Sequence, residues 1–467
     1  MNRSVIGVIT AFVGCLVWDV GKRISTRHNR GIARGKRFLI LGGGFAGVEA
    51  GRELERLLPG DDNGEITLVD QNGYLLFTPM LTEAVGGNLE LSDIAVPLRH
   101  FVKRADIVQG EVKSIDLHAR TASVDGDESR TFAADHIILC LGANSSYHHV
   151  PGAEQNSVPM KRLSDARLVR DAALGFVKKA AEARNGDERR AMLTFLVAGG
   201  GYTGVETIAA LNELVRQAAK NYESLQQSDI AMIIAEPMDR IMNEVTEDLA
   251  AYTQRELERA GIEVLVKTGV KSVEGENVLL ANGRHIRTKT FVWTAGVEAN
   301  KLVASLDAPK GKSKGLKVTH ELAVARYPGV WAIGDCAEVP RPDGNGTYGA
   351  TAQNATREGK LVAQNIVRQL RRQAEKPFTY RPIGELALVG RRRGVARIYG
   401  HNFSGFVAYL LWRGIYIAKL PSMAQRLRVL SDWALDALLG PVALSDLPSI
   451  PLREKKVKPS ATNAASA

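Results

Sequence analysis

Residues 39–50, LILGGGFAGVEA, join an apolar run to a glycine-rich turn and then to residues that favour a helix. Gly42, Gly44 and Gly47 have the spacing G-x-G-x-x-G. In a strand–turn–helix unit, these glycines allow a tight turn, close approach of backbone N–H groups to a diphosphate, and tight helix–strand packing. The helix start adds partial positive charge. The stretch therefore predicts a dinucleotide-binding loop, and a glycine-rich turn without a ligand is the alternative.

A near copy, LVAGGGYTGVET, occupies residues 196–207, with its glycines at Gly199, Gly201 and Gly204. Each loop is followed by a helical stretch and by an apolar strand that ends in an acid, Asp70 in the first copy and Glu236 in the second. An acid at this place can accept hydrogen bonds from a ribose. A carboxylate suits a free 2′-hydroxyl and repels a 2′-phosphate, so Glu236 favours NADH over NADPH. The duplication predicts two bound dinucleotides.

The chain of 467 residues is long enough for more than one hydrophobic core, and its 45% hydrophobic and 24% charged residues are typical of a globular protein. The net charge of +10 gathers in residues 22–37, 391–393 and 453–458. The first two clusters lie near apolar segments, and basic residues are not interleaved with aromatic ones. This distribution favours a membrane surface and argues against nucleic acid as a partner.

Cysteine is sparse, with Cys15, Cys140 and Cys336 far apart and no C-x-x-C pair. This spacing argues against a disulfide framework, against a zinc site and against the dithiol of a disulfide reductase. The nine histidines show no ligand spacing, so no metal is predicted. A reducing compartment is expected.

The N-terminal residues 1–22 contain an uncharged run of 14, VIGVITAFVGCLVW at 5–18. As a helix it would cover about 21 Å of a hydrocarbon layer of roughly 30 Å, which is short for a span. A membrane tether, a cleaved signal sequence and an interfacial or core helix are the three alternatives. Basic residues follow the run, which predicts a cytoplasmic location for the body of the protein.

Three further stretches extend the dinucleotide pattern. DHIILCLGAN (135–144) and TFVWTAGVEAN (290–300) are each predicted to form a buried strand that ends in a glycine turn, and PGVWAIGDCAEVP (328–340) places Asp335 after such a strand. With the two loops, they resemble the two-dinucleotide-binding-domain flavoprotein reductases. Residues 74–99 and 377–398 narrow the resemblance to type II NADH dehydrogenases, the single-subunit NADH:quinone oxidoreductases. It extends from about residue 37 to about residue 439.

The resemblance implies that the first loop holds FAD and the second NADH. The FAD contacts it implies are Gly42, Gly44, Phe45, Ala46, Gly47, Asp70, Gly142, Gly334, Asp335 and Ala352. The NADH contacts it implies are Gly199, Gly201, Tyr202, Thr203, Gly204, Glu236 and Gly296. For Asp335, a role as a turn or capping residue is the alternative.

The resemblance also implies two catalytic residues, Glu206 and Gln353. Glu206 would face the gap between nicotinamide, flavin and acceptor, and a helix N-terminal acid stabilised by the dipole is the alternative. Type II enzymes carry A-Q-x-x-x-Q on the quinone side of the flavin. Here Ala352 and Gln353 match, but Arg357 replaces the second glutamine. Arg357 therefore either hydrogen-bonds a quinone oxygen, together with Gln353, or marks a different acceptor.

The C-terminal region predicts two apolar helices, at 403–420 and 421–440. The first is almost free of charge and carries tyrosines and Trp412, which suit a headgroup boundary. The second has an apolar stripe at helical spacing, formed by Met423, Leu427, Leu430, Ala434 and Leu438. Burial of this stripe in a core is the alternative to membrane docking.

The sequence as a whole predicts an α/β fold with two Rossmann-like dinucleotide-binding domains, the second inserted in the first. The expected parts are a FAD domain (37–160 and 310–375), an NADH domain (161–309), a membrane-docking helical region (376–445) and a disordered tail (446–467). The expected reaction moves a hydride from NADH to FAD and then two electrons to a membrane quinone, without proton pumping, at the cytoplasmic face of the cell membrane.

Two other functions stay open at this point. One is a soluble flavin reductase for a ferredoxin-like protein or oxygen. The other is a non-enzymatic, NADH-responsive flavoprotein that binds nucleic acid or a protein partner through its positive charge. The sequence leaves both a monomer and a homodimer open.

Overall fold

The computed structural model describes residues 31–60, 64–87, 89–420 and 423–439. The apolar run within residues 1–22 and the predicted disordered tail at 446–467 lie outside the described residues.

The secondary structure alternates between strands and helices for most of the described chain. The strands are β1 (Arg37–Leu41), β2 (Glu65–Asp70), β3 (Tyr74–Leu76), β4 (Ala95–Pro97), β5 (Asp106–Gln109), β6 (Glu111–Asp116), β7 (Thr121–Asp125), β8 (Arg130–Ala133), β9 (His136–Leu139), β10 (Ala143–Ser145), β11 (Val158–Pro159), β12 (Thr194–Ala198), β13 (Ala231–Ala235), β14 (Ile262–Leu265), β15 (Val270–Glu274), β16 (Asn277–Leu280), β17 (His285–Arg287), β18 (Thr290–Trp293), β19 (Val297–Ala299), β20 (Leu316–Lys317), β21 (Val330–Ala332), β22 (Ala337–Glu338), β23 (Gly384–Gly390), β24 (Arg393–Ile398) and β25 (His401–Ser404). The α-helices are α1 (Phe45–Leu57), α2 (Leu81–Val85), α3 (Ala153–Asn156), α4 (Leu163–Glu182), α5 (Gly186–Met192), α6 (Tyr202–Ala219), α7 (Glu247–Arg259), α8 (Lys301–Ser305), α9 (Ala352–Leu370), α10 (Gly405–Lys419) and α11 (Met423–Leu439).

The first sheet has five parallel strands in the order β21-β9-β1-β2-β5. Its central strand β1 is almost fully buried from Phe38 to Leu41, as expected for a parallel sheet covered on both faces. In the sequence, β21 follows all five strands of the second sheet, although it pairs with β9 in the first sheet. The second unit is therefore inserted in the first.

The second sheet repeats this arrangement, with five parallel strands in the order β11-β18-β12-β13-β14. An antiparallel three-stranded sheet, β15-β16-β17, lies between β14 and β18 in sequence, as β6-β7-β8 lies between β5 and β9. The duplication thus includes far more than the two glycine loops, and the prediction of two Rossmann-like domains is confirmed. The short strands β10 and β19 pair where the chain passes between the two units.

The C-terminal region begins with an antiparallel sheet, β23-β24-β25, and continues with α10 and α11. The sequence predicted only helices here, so the sheet is an addition to that prediction. Leu386, Val395 and Trp412 are buried in the same hydrophobic core as the helices of the second unit. The region therefore packs on the second unit, and α6 and α7 contact its sheet. No helix among the described residues is long and apolar enough to cross a bilayer.

Candidate functional site

The first glycine loop lies between β1 and α1 and is packed without room for side chains at two of its glycines. A Cβ on Gly47 would lie 1.9 Å from Gly42 O, and a Cβ on Gly42 would lie 2.3 Å from Cys140 O. Both contacts are with backbone atoms that cannot move aside. These glycines let α1 begin directly against the end of the strand.

The carboxylate of Asp70 is fixed by this loop. The backbone N–H of Gly43 donates to Asp70 Oδ2 (2.8 Å), and that of Asn72 donates to Asp70 Oδ1 (2.7 Å). Asp70 ends β2, the strand beside β1. The sheet therefore places the acid next to the glycine turn, as the sequence predicted.

The second loop has the same construction at the corresponding atoms. A Cβ on Gly204 would lie 1.8 Å from Gly199 O. The backbone N–H of Gly200 donates to Glu236 Oε2 (2.6 Å), and that of Met238 donates to Glu236 Oε1 (2.9 Å). Glu236 is buried. The two loops thus share the same pattern of hydrogen bonds as well as the same glycine spacing.

The starts of α1 and α6 both lack a capping side chain. No side chain caps α1 at Gly44 or α6 at Gly201, and neither helix has an acid in its first turn. A Cβ on Gly44 would meet no heavy atom within 4 Å, so the space in front of α1 is open. At the start of α6, a Cβ on Gly201 would lie 3.2 Å from Glu244 Oε1, so a carboxylate side chain lies near this start. Uncapped N–H groups facing open space, as at α1, are the arrangement that binds phosphate at helix N-termini.

The other predicted dinucleotide residues lie around these two loops. Gly142, Gly296 and Gly334 follow β9, β18 and β21, and all three have positive φ. Phe45, Ala46, Tyr202 and Thr203 lie in the first turns of α1 and α6, and Ala352 begins α9. Phe45 packs edge-on against Phe77, with ring centroids 5.7 Å apart.

Asp335 lies in a 3₁₀ turn at the end of β21, next to two residues that the sequence did not single out. Burial raises its pKa, and the charge of Lys161 acts in the opposite direction. Glu358 Oε2 accepts the backbone N–H of Gly334 (2.7 Å). Burial raises the pKa of Glu358 to about 7. No local motif marks Lys161 or Glu358, because each reaches the turn from a distant element.

Glu206 is held by two segments far from it in sequence. The backbone N–H of Leu388 in β23 donates to Glu206 Oε1 (3.0 Å), and the hydroxyl of Thr82 in α2 donates to Oε2 (3.3 Å). Burial raises the pKa of Glu206 to about 8, and the nearby carboxylate of Glu83 acts in the same direction. Glu206 lies beyond the first turn of α6, which contains no acid.

Gln353 and Arg357, the predicted quinone contacts, lie together on α9. Gln353 Nε2 donates to Gly384 O (3.0 Å), and Tyr380 donates from its hydroxyl to Gln353 Oε1 (2.8 Å). The guanidinium of Arg357 lies 4.0 Å from the centre of the Tyr380 ring and donates to Gln353 O (2.9 Å). The Gln353 amide thus links α9 to Tyr380 and to the first residue of β23, and the Arg357 guanidinium packs on the Tyr380 ring.

The apolar stripe of α11 is exposed at every position whose side chain the structure describes, namely Met423, Leu427, Leu430 and Ala434. The alternative of a core stripe is therefore wrong for these residues. The buried face is formed instead by Gln425, Val429 and Trp433. Phe406, Val407 and Leu410 on α10 are also exposed. We call these seven exposed residues of α10 and α11 the apolar patch.

Two other predicted features concern metals and thiols. The described residues contain no cluster of three or more histidine, cysteine or acidic side chains that could hold a metal ion. Cys140 and Cys336 are both free and buried. Burial raises the pKa of Cys336 to about 12 and raises that of Cys140. Thiols in this state are poor nucleophiles.

The chain matches two known families. Residues 36–359 match the family described as "Pyridine nucleotide-disulphide oxidoreductase", and residues 383–441 match the "NDH2 C-terminal domain". The second match begins just before β23 and includes the C-terminal sheet and both helices.

Relatives and solved structures agree with these matches. The chain is 28% identical over 422 residues to the type II NADH:quinone oxidoreductase Ndh of Mycobacterium tuberculosis, covering 87% of this chain and 89% of the relative. It is 26% identical over 430 residues to a probable NADH dehydrogenase of Dictyostelium discoideum, covering 90% and 93%. The fold is similar to that of NDH2 from Plasmodium falciparum in complex with NADH, with a TM-score of 0.81, 19% identity and coverage of 88% and 100%.

Proposed function

The chain belongs to the pyridine nucleotide-disulphide oxidoreductase family, and we propose that it is a FAD-dependent NADH:quinone oxidoreductase of type II that works at the cytoplasmic face of a cell membrane. The relatives named above support this activity. When bound, FAD supplies a two-electron carrier between NADH and the quinone. The roles below belong to residues of the chain itself.

The two glycine loops hold the dinucleotides. The uncapped starts of α1 and α6 bind the two diphosphates, FAD at Gly44 and NADH at Gly201. Asp70 and Glu236, each oriented by two backbone N–H groups, accept hydrogen bonds from the riboses. Because each carboxylate oxygen has two lone pairs, these backbone bonds leave room for a ribose hydroxyl.

The observation that carries the proposal is the position of Glu206. This carboxyl lies on the helix of the NADH loop and is hydrogen-bonded both to the segment after β3 and to the C-terminal sheet. A pKa of about 8 leaves it protonated at neutral pH. Reduction of a quinone to a quinol consumes one proton besides the hydride of NADH, and Glu206 can supply it.

The acceptor is proposed to bind near Gln353 and Arg357. Arg357 donates to the backbone oxygen of Gln353. Burial lowers the pKa of Lys419 to about 8, and the charge of Arg357 acts in the same direction. Positive charge stabilises an oxygen that gains electron density, as the carbonyl oxygens of a quinone do on reduction. A disulfide acceptor is disfavoured, because Cys140 and Cys336 are buried, non-nucleophilic thiols.

Membrane attachment is proposed through the apolar patch. Its side chains lie on the two helices that follow the C-terminal sheet, and Arg428 is exposed among them. An exposed apolar face with adjacent basic residues is the composition of interfacial helices. A lipid-soluble quinone would enter from this side. The proposed division of the chain is the predicted one (37–160 with 310–375, 161–309 and 376–445), except that β11 (Val158–Pro159) belongs to the second sheet and therefore to the NADH domain.

One assay tests this function. The purified flavoprotein should oxidise NADH with a short-chain quinone, and Glu206→Gln should lower the turnover number by about 10²-fold, which is typical for loss of a positioned proton donor. Flavin content should not change. Glu53→Gln is a matched control, because Glu53 is also buried but bonds Arg56 on α1 and Gln364 on α9. Undiminished quinone turnover in Glu206→Gln would contradict the proposal.

A further inference from the structure

Helix α2 carries two adjacent side chains that point to different partners. Thr82 donates its hydroxyl to Glu206 Oε2 (3.3 Å). Glu83, the next residue, is buried, and its Oε2 lies 3.5 Å from Arg413 Nη2 on α10. Because Thr82 and Glu83 are consecutive residues, these two contacts link Glu206 to the Glu83–Arg413 ion pair through one peptide unit.

Arg413 is held by aromatic rings from both C-terminal helices. Its guanidinium carbon lies 3.8 Å from the ring centre of Trp433 on α11 and 4.9 Å from that of Tyr409 on α10. Only 13% of its side chain is exposed, so water screens its charge poorly. A guanidinium stacked in this way has a fixed position and keeps its charge at any ordinary pH.

We propose that Glu83 and Arg413 form a positioning pair, whose balance of charge decides how readily Glu206 gives up its proton. The proposal rests on the proposed function, in which Glu206 holds that proton. Neither Glu83 nor Arg413 needs to touch NADH, flavin or quinone. The pair acts through Glu206 alone.

The sign of the effect follows from the charges. The carboxylate of Glu83 repels the ionised form of Glu206 and raises its pKa, after the larger effect of burial. Arg413 lies against Glu83 and offsets part of this repulsion. Removing the Glu83 charge should therefore ease ionisation of Glu206, and removing the Arg413 charge should hinder it.

Other titratable groups lie on the elements packed around Glu206. Tyr416 on α10 is neutral near pH 8, because burial raises its pKa. Tyr202, on the same helix as Glu206, is neutral for the same reason. Glu385, on β23, is an acid whose own pKa is raised by burial and lowered by Tyr202 and Arg397. Within this group, Glu83 is the carboxylate that shifts the pKa of Glu206.

The experiment measures the protonation of Glu206 directly. The infrared band of its protonated carboxyl is identified in the flavin-loaded protein by its loss in Glu206→Gln, and it is titrated against pH without NADH or quinone. In the unsubstituted chain the midpoint is expected near 8. Glu83→Gln should lower it by roughly one pH unit, and Arg413→Gln should raise it. The double variant should return to within about half a unit of the original midpoint.

Two controls separate charge from structure. Glu83→Asp keeps the charge and should keep the midpoint. Asp171→Asn removes a carboxylate that is equally buried and lies 3.4 Å from Arg170, and it should not move the midpoint, because Asp171 does not act on Glu206. An unmoved or raised midpoint in Glu83→Gln, or an equal shift in Asp171→Asn, overturns the proposal. If Glu83→Gln does not fold, the midpoint of Arg413→Gln still tests the proposal, because it is expected to rise.

The pH profile of quinone reduction gives a second reading of the same pair. In each variant, the pH at which quinone reduction declines on the basic side should shift in the same direction as the infrared midpoint. Because the infrared titration needs no electron acceptor, a failed quinone assay leaves its result intact. The failure of the proposed activity and the failure of the positioning pair are therefore distinguishable.

Discussion

Glu236 Oε2 accepts the backbone N–H of Gly200 at 2.6 Å, so the acid at the end of β13 is locked to the glycine turn before α6. Asp70 and Gly43 repeat this relationship in the first unit, at 2.8 Å. Each loop therefore fixes the carboxylate that would recognise the ribose of its own dinucleotide.

Neutralising Glu236 should weaken the preference for NADH over NADPH. In Glu236→Gln the amide no longer repels a 2′-phosphate and bonds a 2′-hydroxyl less strongly. The ratio of kcat/KM for NADH to that for NADPH should fall roughly tenfold, which corresponds to about 1.4 kcal/mol. Asp70→Asn is the matched control at the FAD loop and should leave this ratio unchanged. An unchanged ratio in Glu236→Gln would mean that another residue selects the nucleotide.

Adding one methyl group at Gly44 should displace flavin without disturbing the fold. Gly44 has extended backbone, and a Cβ there meets nothing within 4 Å, so the protein itself accommodates alanine. The methyl group would occupy the space in front of α1, and Gly44→Ala should weaken FAD binding at least about tenfold. Gly186→Ala, also at a helix start with open space, should bind flavin normally. Fluorescence titration of the flavin-free protein measures both, and full flavin affinity in Gly44→Ala would rule out diphosphate binding there.

Truncating Gln353 should impair the quinone half of the reaction selectively. Gln353→Ala removes the bonds to Tyr380 and Gly384 and should lower kcat/KM for quinone about tenfold, while the rate at which NADH bleaches the flavin stays the same. Gln364→Ala, on the same helix, removes a bond to Glu53 and serves as the control. If Gln353→Ala bleaches normally and also keeps full quinone turnover, the acceptor binds elsewhere.

Charge in the apolar patch should release the protein from lipid. Leu427→Glu, combined with Phe406→Glu, places two carboxylates where apolar side chains are exposed, and co-sedimentation with anionic vesicles should fall at least about tenfold. Met238→Glu is the matched control, since Met238 on the second unit is 56% exposed and Leu427 is 59% exposed. Equal loss of binding in Met238→Glu would point to a general effect of charge.

The parts of the site set by short-range geometry were predictable from the sequence. The glycine spacing fixes how a helix can begin against a strand, and the apolar strand after it fixes where Asp70 and Glu236 end up. Such constraints act within about 40 residues. They explain why the two Rossmann-like units and both loops follow from the sequence alone.

The surroundings of Glu206 were not predictable in this way. Thr82 and Leu388 lie 124 and 182 residues from it, and only the packing of α2 and β23 on α6 brings them together. The C-terminal sheet was missed because the buried part of β23, residues 386–389, is a short apolar run without alternation, which a buried helix would also show. The sequence also did not decide whether the apolar stripe of α11 is exposed, because helical spacing does not show which face of the helix packs against the rest of the protein.

The late arrival of β21 has a consequence for biosynthesis. About 190 residues separate the end of β9 from Val330, and at typical elongation rates the ribosome needs roughly 10–40 s to make them. Throughout that interval β9 has a partner on one side only and presents an open edge to other nascent chains. Rapid folding of the inserted unit would shorten the distance that the returning strand β21 must cover to pair with β9.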